Sequence, residues 1–285
     1  LAWLEQLPES TILHHPTLCL YQAWIMLMAG NPWTLIESRL ETAIHAAESF
    51  PSQTTASVPA KAAPLLSFIA LYRGEVEEAA VLSERALAEI PPEDTFLRSL
   101  AAWSLGISQL ATGHTADGKA LLEEVTRASR QAGNILVAAL VLCHQAEMAW
   151  REGKLHRAQQ LYKQALDLAT DADGQRLPIA GNALMGLGEI YREWNTLDVA
   201  EDAFKEGIAL TERWSEVSAL DGYIGLTQLH YERGDTESAE ASLRRAETIA
   251  EHFDTTDIDD LLVALLRARI NVHRAAAGDL ASAAA

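Results

Sequence analysis

The chain has 285 residues, of which 49% are hydrophobic, enough apolar material for a continuous buried core. The 40 Asp and Glu residues outnumber the 22 Lys and Arg residues, so the formal net charge is −18. A surface that binds duplex DNA needs clustered basic residues, but here they occur singly or in pairs among carboxylates. The composition therefore argues against direct nucleic acid contact by this segment.

Two features of the sequence bear on the location of the protein. Cys19 and Cys143 lie far apart in apolar runs, which predicts free thiols in a reducing compartment and hence a cytoplasmic protein. No run of 18 apolar residues and no signal peptide is recognisable, so we expect no membrane contact.

The chain begins without Met and ends in an Ala-rich stretch just after a turn, which we interpret as a fragment of a larger protein.

Helical segments separated by turn residues follow one another along the chain. A short helix at about 1–7 ends near Pro8. The first hairpin turns at Gly30-Asn31-Pro32, where glycine can end one helix and proline can begin the next. Residues 51–59 form a polar link. We predict a single helical-repeat domain over 1–285, with hairpins at about 17–50, 60–91, 96–132, 135–171, 178–214 and 217–252 and a partial hairpin at 258–285.

A repeat with a period of about 40 residues relates these hairpins, since the spacings between successive turn residues are 39, 40, 42, 39 and 44. Such a period predicts a stacked α-solenoid, because no helical hairpin can bury its apolar face alone. The turn residues are Gly74, Gly113, Gly153, Asn195, Gly234 and Gly278. The helix after each of the first five turns carries a packing ladder, namely Ala79/Ser83/Ala86, Gly118/Leu122/Val125, Ala158/Tyr162/Ala165, Ala200/Phe204/Gly207 and Ala239/Leu243/Ala246.

The sequence of one hairpin resembles a tetratricopeptide repeat. Leu187-Gly188 precedes Tyr191, and the ladder Ala200, Phe204 and Gly207 follows. Elsewhere the pattern departs from that family: Gly118 replaces the usual alanine, His230 replaces the usual tyrosine, and the spacing exceeds the usual period of about 34 residues. The resemblance implies an all-α, tetratricopeptide-like right-handed superhelix of antiparallel helical hairpins.

The longer spacing resembles a subgroup, the helical-repeat domain of MalT-like, large LuxR-family transcriptional activators. The opening Trp3-Leu4-Glu5-Gln6-Leu7-Pro8 and the segments at 188–201 and 221–247 carry this resemblance, which covers essentially the whole chain. In that family a nucleotide-binding switch module and a helix-turn-helix flank the repeats. The resemblance therefore implies a sensor that binds an effector and biases an ATP-driven switch located outside this chain.

Three groups of residues suggest chemistry, and each has a structural explanation that we favour. Residues 113–120 nearly match the P-loop motif, but Ala120 replaces the Ser or Thr that the motif requires, and no strand precedes Gly113. His144 and Glu147 lie one helical turn apart without a second ligand pair. The acidic cluster at 254–260 lacks the glycine and spacing of a calcium loop, and Thr256 or Asp257 suits a helix N-cap. We therefore expect no enzyme activity, no catalytic residues, no cofactor and no metal site.

Equivalent positions near the ends of successive first helices suggest a ligand groove. Trp150, Arg192 and Tyr231 occupy these positions, and first helices line the concave surface of such a superhelix. An aromatic platform with arginine and amide partners suits a small molecule or a peptide. The alternative is that these side chains only contribute to packing. Polar residues at turn-like offsets on the same helices extend the predicted concave-face site, namely Asn182, Glu189, Asp221 and Gln228.

These observations lead to one functional hypothesis and one alternative. The first is an effector-sensing or protein-binding repeat domain of a MalT-like regulator, whose partner is a small molecule, a peptide or another protein, with self-association possible. The alternative is a tetratricopeptide scaffold that docks a peptide or protein and has no role in transcription. A P-loop module before residue 1 and a helix-turn-helix after residue 285 in the full gene would favour the first.

Overall fold

The computed structural model describes residue 12 and residues 15–49, 57–214, 216–252 and 262–271. Across these ranges the chain is helical, apart from turns and an isolated bridge between Thr170 and Arg176. The helices are α1 (Pro16–Ala29), α2 (Trp33–Ser49), α3 (Val58–Tyr72), α4 (Val76–Glu89), α5 (Thr95–Ala111), α6 (Thr115–Ala132), α7 (Ile135–Arg151), α8 (Leu155–Leu168), α9 (Ala180–Glu193), α10 (Leu197–Thr211), α11 (Leu220–Glu232) and α12 (Thr236–His252). Residues 262–271 are also helical, and Glu216–Ala219 form a 3-10 turn.

Consecutive helices pair as antiparallel hairpins, from α1–α2 to α11–α12, and each hairpin packs on the next. The first helices α3, α5, α7, α9 and α11 also pack successively against one another, so they form the inner layer of the curved array. The fold is thus the all-α, tetratricopeptide-like right-handed superhelix expected from the repeat. The predicted opening helix at 1–7, the acidic cluster at 254–260, Gly278 and most of the partial hairpin at 258–285 lie outside the described residues.

The turn between the two helices of each hairpin needs one residue with left-handed backbone geometry. The φ angles of the repeat glycines within the described ranges lie between 74° and 86°, and Asn195 has φ 56°. Asn195 is the one non-glycine residue with positive φ in those ranges, and asparagine tolerates this region better than most residues. The turn geometry therefore explains why asparagine can replace glycine in this one repeat.

The predicted ladder residues are buried along the second helices. Ala158, Ala200, Phe204 and Leu243 are fully inaccessible to solvent. Gly118 allows α5 and α6 to touch, because a Cβ there would lie 2.8 Å from the carbonyl oxygen of Gly106. Small side chains at these crossings let the helices approach closely, and the large residue one turn later fills the space beneath the next hairpin.

The first and fifth hairpins are in direct contact. The indole Nε1 of Trp214 donates to the carbonyl oxygen of Leu27 at 2.7 Å. The backbone amide of Trp33 donates to the carbonyl oxygen of Trp214 at 3.0 Å. Arg213, at the end of the fifth hairpin, donates to the carbonyl oxygen of Ala29. We name this set of contacts, between residues 27–33 and 213–214, the closure contact.

An aromatic cluster fills the interior beside the closure contact. The Phe68 ring lies 4.9 Å from Tyr72, 6.0 Å from Trp103 and 5.9 Å from Trp214, measured between ring centroids. Trp33 adds an edge contact with Tyr72 at 5.4 Å. Helix α3 lies within this cluster and buries side chains around most of its circumference. The concave face of the first hairpins is therefore packed, and polar groups face inward further along the array.

Candidate functional site

Two helices of the inner layer present polar residues at matching places. On α9, Asn182, Gly186 and Glu189 share one face, because they are separated by four and three residues. On α11, Asp221, Gly225 and Gln228 repeat this spacing one repeat, 39 residues, later. The Tyr162 ring packs over Gly186, and the Phe204 ring and the Glu189 carboxylate pack over Gly225. We define the inner site as Tyr72, Tyr162, Asn182, Glu189, Asp221 and Gln228.

Tyr162 reaches the inner site from α8. Its phenolic end lies over Gly186, where a Cβ would come within 2.6 Å of ring atom Cε2. The side chain keeps 7% of its surface exposed, and its hydroxyl makes no hydrogen bond with the described residues. Burial raises the pKa of Tyr162, as do nearby acidic groups, so the phenol stays protonated. The sequence pattern placed Tyr162 in the packing ladder alone, and its polar end was missed.

Asn182 connects the inner site to the second hairpin. Its amide Nδ2 donates to the Tyr72 hydroxyl at 2.6 Å, across a separation of 110 residues. Its Oδ1 is buried and accepts no hydrogen bond from the described residues. Burial raises the pKa of Tyr72, and the hydrogen bond from Asn182 only partly opposes this. An amide oxygen with no partner is costly in the interior, so it favours a ligand that donates a hydrogen bond.

Glu189 lies in a cluster of one guanidinium and three carboxylates. Arg192 contacts Glu189 at 2.7 Å, Glu232 of α11 at 2.6 Å and Glu193 at 3.4 Å. Burial raises the pKa of Glu189, and Arg192 offsets this only in part because Glu193 and Glu232 act in the same direction as burial. The Glu189 carboxylate also approaches α11, since Oε1 would lie 2.9 Å from a Cβ at Gly225. The cluster therefore carries excess negative charge.

The remaining acidic group near the site is Asp221, which is exposed at the start of α11. Its charge raises the pKa of both Tyr72 and Tyr162, so it acts on the same inner region as Glu189. Gln228 is half-buried on the same face of α11. The structure thus places four predicted residues, Asn182, Glu189, Asp221 and Gln228, on two neighbouring inner helices.

The other three predicted residues are engaged within the protein. Trp150 is half-buried and packs against the main apolar core. Arg192 is held by the carboxylates described above. Tyr231 lies under the guanidinium of Arg269, 4.3 Å from the ring centroid. These contacts give each of the three a structural role, as the contacts with Arg192 and Tyr72 do for Glu189 and Asn182.

The two cysteines are free thiols. Cys143 lies on α7 beside the inner site, where burial and the Glu147 carboxylate raise its pKa to about 12. Its thiol is therefore protonated and a weak nucleophile at neutral pH. His144 follows it, and burial lowers the pKa of this imidazole. Glu147 is paired with Arg151 at 2.5 Å rather than with His144.

The near-P-loop at 113–120 is a hairpin turn followed by a close helix crossing. Gly113 has φ 86° in the turn between α5 and α6, and α6 begins at Thr115. Gly118 is packed against Gly106, so the backbone around it belongs to a helix and not to a phosphate-binding loop. The exposed side chain of Lys119 remains the one part of the motif that could meet a phosphate.

Titration of the chain with ATP should therefore give no saturable heat in a calorimeter. A phosphate-binding loop wraps its backbone amides around the phosphate, whereas here the Gly113 and His114 amides donate within the turn to Leu110 and Gln109, and the Gly118 amide donates to His114. The variant Lys119→Ala serves as the comparison. Saturable ATP binding that disappears in Lys119→Ala would contradict this expectation.

None of the described helices is both long enough and apolar enough to cross a membrane. Within the same ranges, no group of three or more His, Cys, Asp or Glu side chains is arranged to hold a metal ion. The inner site is instead a partly buried set of polar groups with hydrogen-bond acceptors and excess negative charge. Repeat arrays use such groups on their inner helices to contact ligands or partners.

Comparison with solved structures agrees with the fold. The Rap protein complexed with Competence and Sporulation Factor superposes with a TM-score of 0.54 at 12% identity, over 90% of this chain and 76% of that chain. At this identity the likeness concerns the fold alone.

Sequence comparison is more specific. The HTH-type transcriptional regulator MalT of Serratia proteamaculans (strain 568) is 25% identical over 246 residues, which are 86% of this chain and 27% of that protein. The chain thus spans about a quarter of the length of this curated relative. A family model described as the MalT-like TPR region matches residues 60–285. Because this match covers far more than half of the chain, the chain belongs to the MalT-like TPR region family.

Proposed function

We propose that the chain is the effector-sensing repeat domain of a MalT-like, LuxR-family transcriptional regulator. It binds a small-molecule or protein effector and biases an ATP-driven switch located outside residues 1–285. Family membership supports the regulatory context. Helical repeats of this type generally bind partners rather than catalyse reactions, which agrees with an inner site that holds no activated nucleophile among the described residues.

One observation carries the sensing role: the inner site draws on several separate hairpins. Tyr72 comes from the second hairpin, Tyr162 from the fourth, Asn182 from the fifth and Asp221 from the sixth. A ligand that contacts several of them stabilises one relative arrangement of these hairpins. Because a ligand shifts an equilibrium by its differential affinity for two arrangements, such a site can report ligand binding as a change in superhelix geometry.

The double variant Asn182→Ala/Gln228→Ala should fold but abolish the transcriptional response to effector in the protein that carries this chain. Both side chains are polar and lie on the inner face, so their loss removes ligand contacts and little core packing. The lost hydrogen bond between Asn182 and Tyr72 should cost about 0.5–1.5 kcal/mol. The response is measured with a reporter gene, and folding with thermal denaturation. Glu84→Gln, an exposed change on α4, is the matched control.

A normal response in the folded double variant would place the binding surface elsewhere. The triple variant Trp150→Ala/Arg192→Ala/Tyr231→Ala then tests the rest of the predicted concave face. These three residues have structural partners, so their replacement is expected to lower the melting temperature as well as the response. A response lost only in the triple variant, with unchanged stability, would favour Trp150, Arg192 and Tyr231 as the ligand contacts.

A second candidate is a scaffold that docks a peptide or protein on the same inner face. It is favoured by the shared fold with the Rap protein, whose structure contains Competence and Sporulation Factor. The two candidates differ in what surrounds the repeats. A nucleotide-binding module before residue 1 and a helix-turn-helix after residue 285 support the regulator, and a gene that encodes neither supports the scaffold.

A further inference from the structure

Two groups of the inner site that can accept a hydrogen bond have no protein partner in the described ranges. The Asn182 amide nitrogen is already used by Tyr72, which leaves the buried Oδ1 as its free atom. The Tyr162 hydroxyl is unpartnered in the described chain, although the residue is more than nine-tenths buried. Its phenolic end lies over Gly186, between Asn182 and Glu189 on the same face of α9. A ligand that donates hydrogen bonds satisfies both groups.

The charge around these acceptors is negative. Three carboxylates, those of Glu189, Glu193 and Glu232, contact the single guanidinium of Arg192. Asp221 adds a further acidic group on the neighbouring helix α11. Each charged or ionisable group that influences the pKa of Tyr162 is acidic. A neutral hydroxyl donor gains little from this field, whereas a cation gains a charge-assisted hydrogen bond.

Limited space and an aromatic ring favour a small cation. The Tyr162 ring covers Gly186, and the Phe204 ring and the Glu189 carboxylate cover Gly225, so little room remains between the two inner helices for a bulky group. A tyrosine ring near a cation adds an attraction of about 0.5–2 kcal/mol. A planar guanidinium needs a wider opening and a bidentate carboxylate, whereas both hydrogen bonds from Arg192 go to Oε2 of Glu189 and leave only Oε1 for a ligand.

We propose that the inner site recognises its ligand through an alkylammonium group, held by Asn182 Oδ1, the Tyr162 hydroxyl and the Glu189 carboxylate. This inference rests on the proposed function for its biological role, but the binding itself is independent of it. The same group occurs on a free diamine and on the lysine side chain of a peptide. The probes are therefore 1,4-diaminobutane and the tripeptide amide Gly-Gly-Lys.

The test is calorimetric titration of the 285-residue chain at about 0.15 M salt, where general attraction to an acidic protein is screened. We expect saturable one-to-one binding of at least one probe and none of 1,4-butanediol, the neutral analogue of the diamine. Glu189→Gln should weaken binding at least about tenfold, because it removes the charge that pairs with the ammonium. Glu84→Gln makes the same charge change on the exposed surface of α4 and should leave binding unchanged.

Tyr162→Phe is a second test that remains informative if Glu189→Gln folds poorly. It removes only an unpartnered oxygen and should leave the melting temperature unchanged. It should weaken binding by about threefold to tenfold, the loss of one hydrogen bond to a cation. Tighter binding of the diamine than of the peptide identifies a free amine as the source, and the reverse identifies a peptide. Equal binding of 1,4-butanediol and the diamine, or no binding of either ammonium probe, would overturn the proposal.

The two proposals can fail separately. If the Asn182→Ala/Gln228→Ala variant loses its transcriptional response but neither probe binds, the sensing role stands and the ligand class is wrong. If the diamine or peptide binds through Glu189 and Tyr162 but the Asn182→Ala/Gln228→Ala variant keeps its transcriptional response, the ligand class stands and the sensing role is wrong.

Discussion

Replacing Trp214 by alanine should lower the free energy of unfolding by about 3–5 kcal/mol, the usual cost of truncating a fully buried tryptophan. The side chain is 1% exposed and its indole donates to the carbonyl oxygen of Leu27. It also lies against Phe68 in the aromatic cluster. The variant therefore loses apolar packing and the indole hydrogen bond to Leu27, and it opens the closure contact. Urea denaturation followed by circular dichroism measures the change.

Trp214→Phe separates the two contributions. It keeps an aromatic ring in the cluster but removes the indole donor, so about 0.5–1.5 kcal/mol should be lost with that hydrogen bond. The Leu27 carbonyl still accepts from the backbone amide of Gly30. A loss of less than about 1 kcal/mol in Trp214→Ala would mean that the first and fifth hairpins are not held together in this way.

Ala158→Trp and Ala200→Trp should each destabilise the protein by about 1–3 kcal/mol or more, because overpacking a close helix crossing forces the hairpins apart. Both alanines are fully buried in the packing ladder. Val199 is 50% exposed and adjacent to Ala200 on α10, so Val199→Trp adds the same bulk on the solvent side. That control should stay within about 0.5 kcal/mol of the parent chain. Thermal denaturation that shows no difference between Ala200→Trp and Val199→Trp would contradict the ladder register.

The repeating part of the fold can be predicted because its determinants are local. Asn195 occupies the glycine slot of its repeat, and the structure gives it the same left-handed geometry as the glycines. The ladder at Ala200, Phe204 and Gly207 is buried as its spacing indicates. Each of these features depends on residues within one hairpin or its neighbour, so the periodic pattern records it directly.

The closure contact could not be predicted, since nothing periodic relates Trp214 to Leu27. The pairing depends on the accumulated twist of the hairpins between them, and no single residue sets that angle. A tryptophan just after α10, outside the ladder positions, was the one signal that something must cover it. Large apolar side chains away from the repeat pattern in such proteins therefore indicate contacts between distant hairpins.

The inner site is an intermediate case. The positions of Asn182 and Asp221 one repeat apart place them on equivalent faces, so their common orientation follows from the period. The sequence pattern assigned Tyr162 to packing, because a ladder residue is expected to make apolar contacts alone. Its hydroxyl lies at the inner site because the tyrosine side chain is long enough to extend over Gly186 on the next helix. Whether Trp150, Arg192 and Tyr231 contact a ligand stays a prediction.

The closure contact also changes the cooperativity of unfolding. In an open repeat array, stability is approximately a sum of hairpin terms and nearest-neighbour terms, so terminal repeats fray independently. Here hydrogen bonds join positions 187 residues apart, and the two ends meet only when the hairpins between them are stacked. Fraying of α1 and α2 therefore breaks contacts with the fifth hairpin as well as with the second. We therefore expect the first five hairpins to unfold as one unit, whereas α11 and α12 lie beyond the closure contact and are not joined by it to the first hairpin.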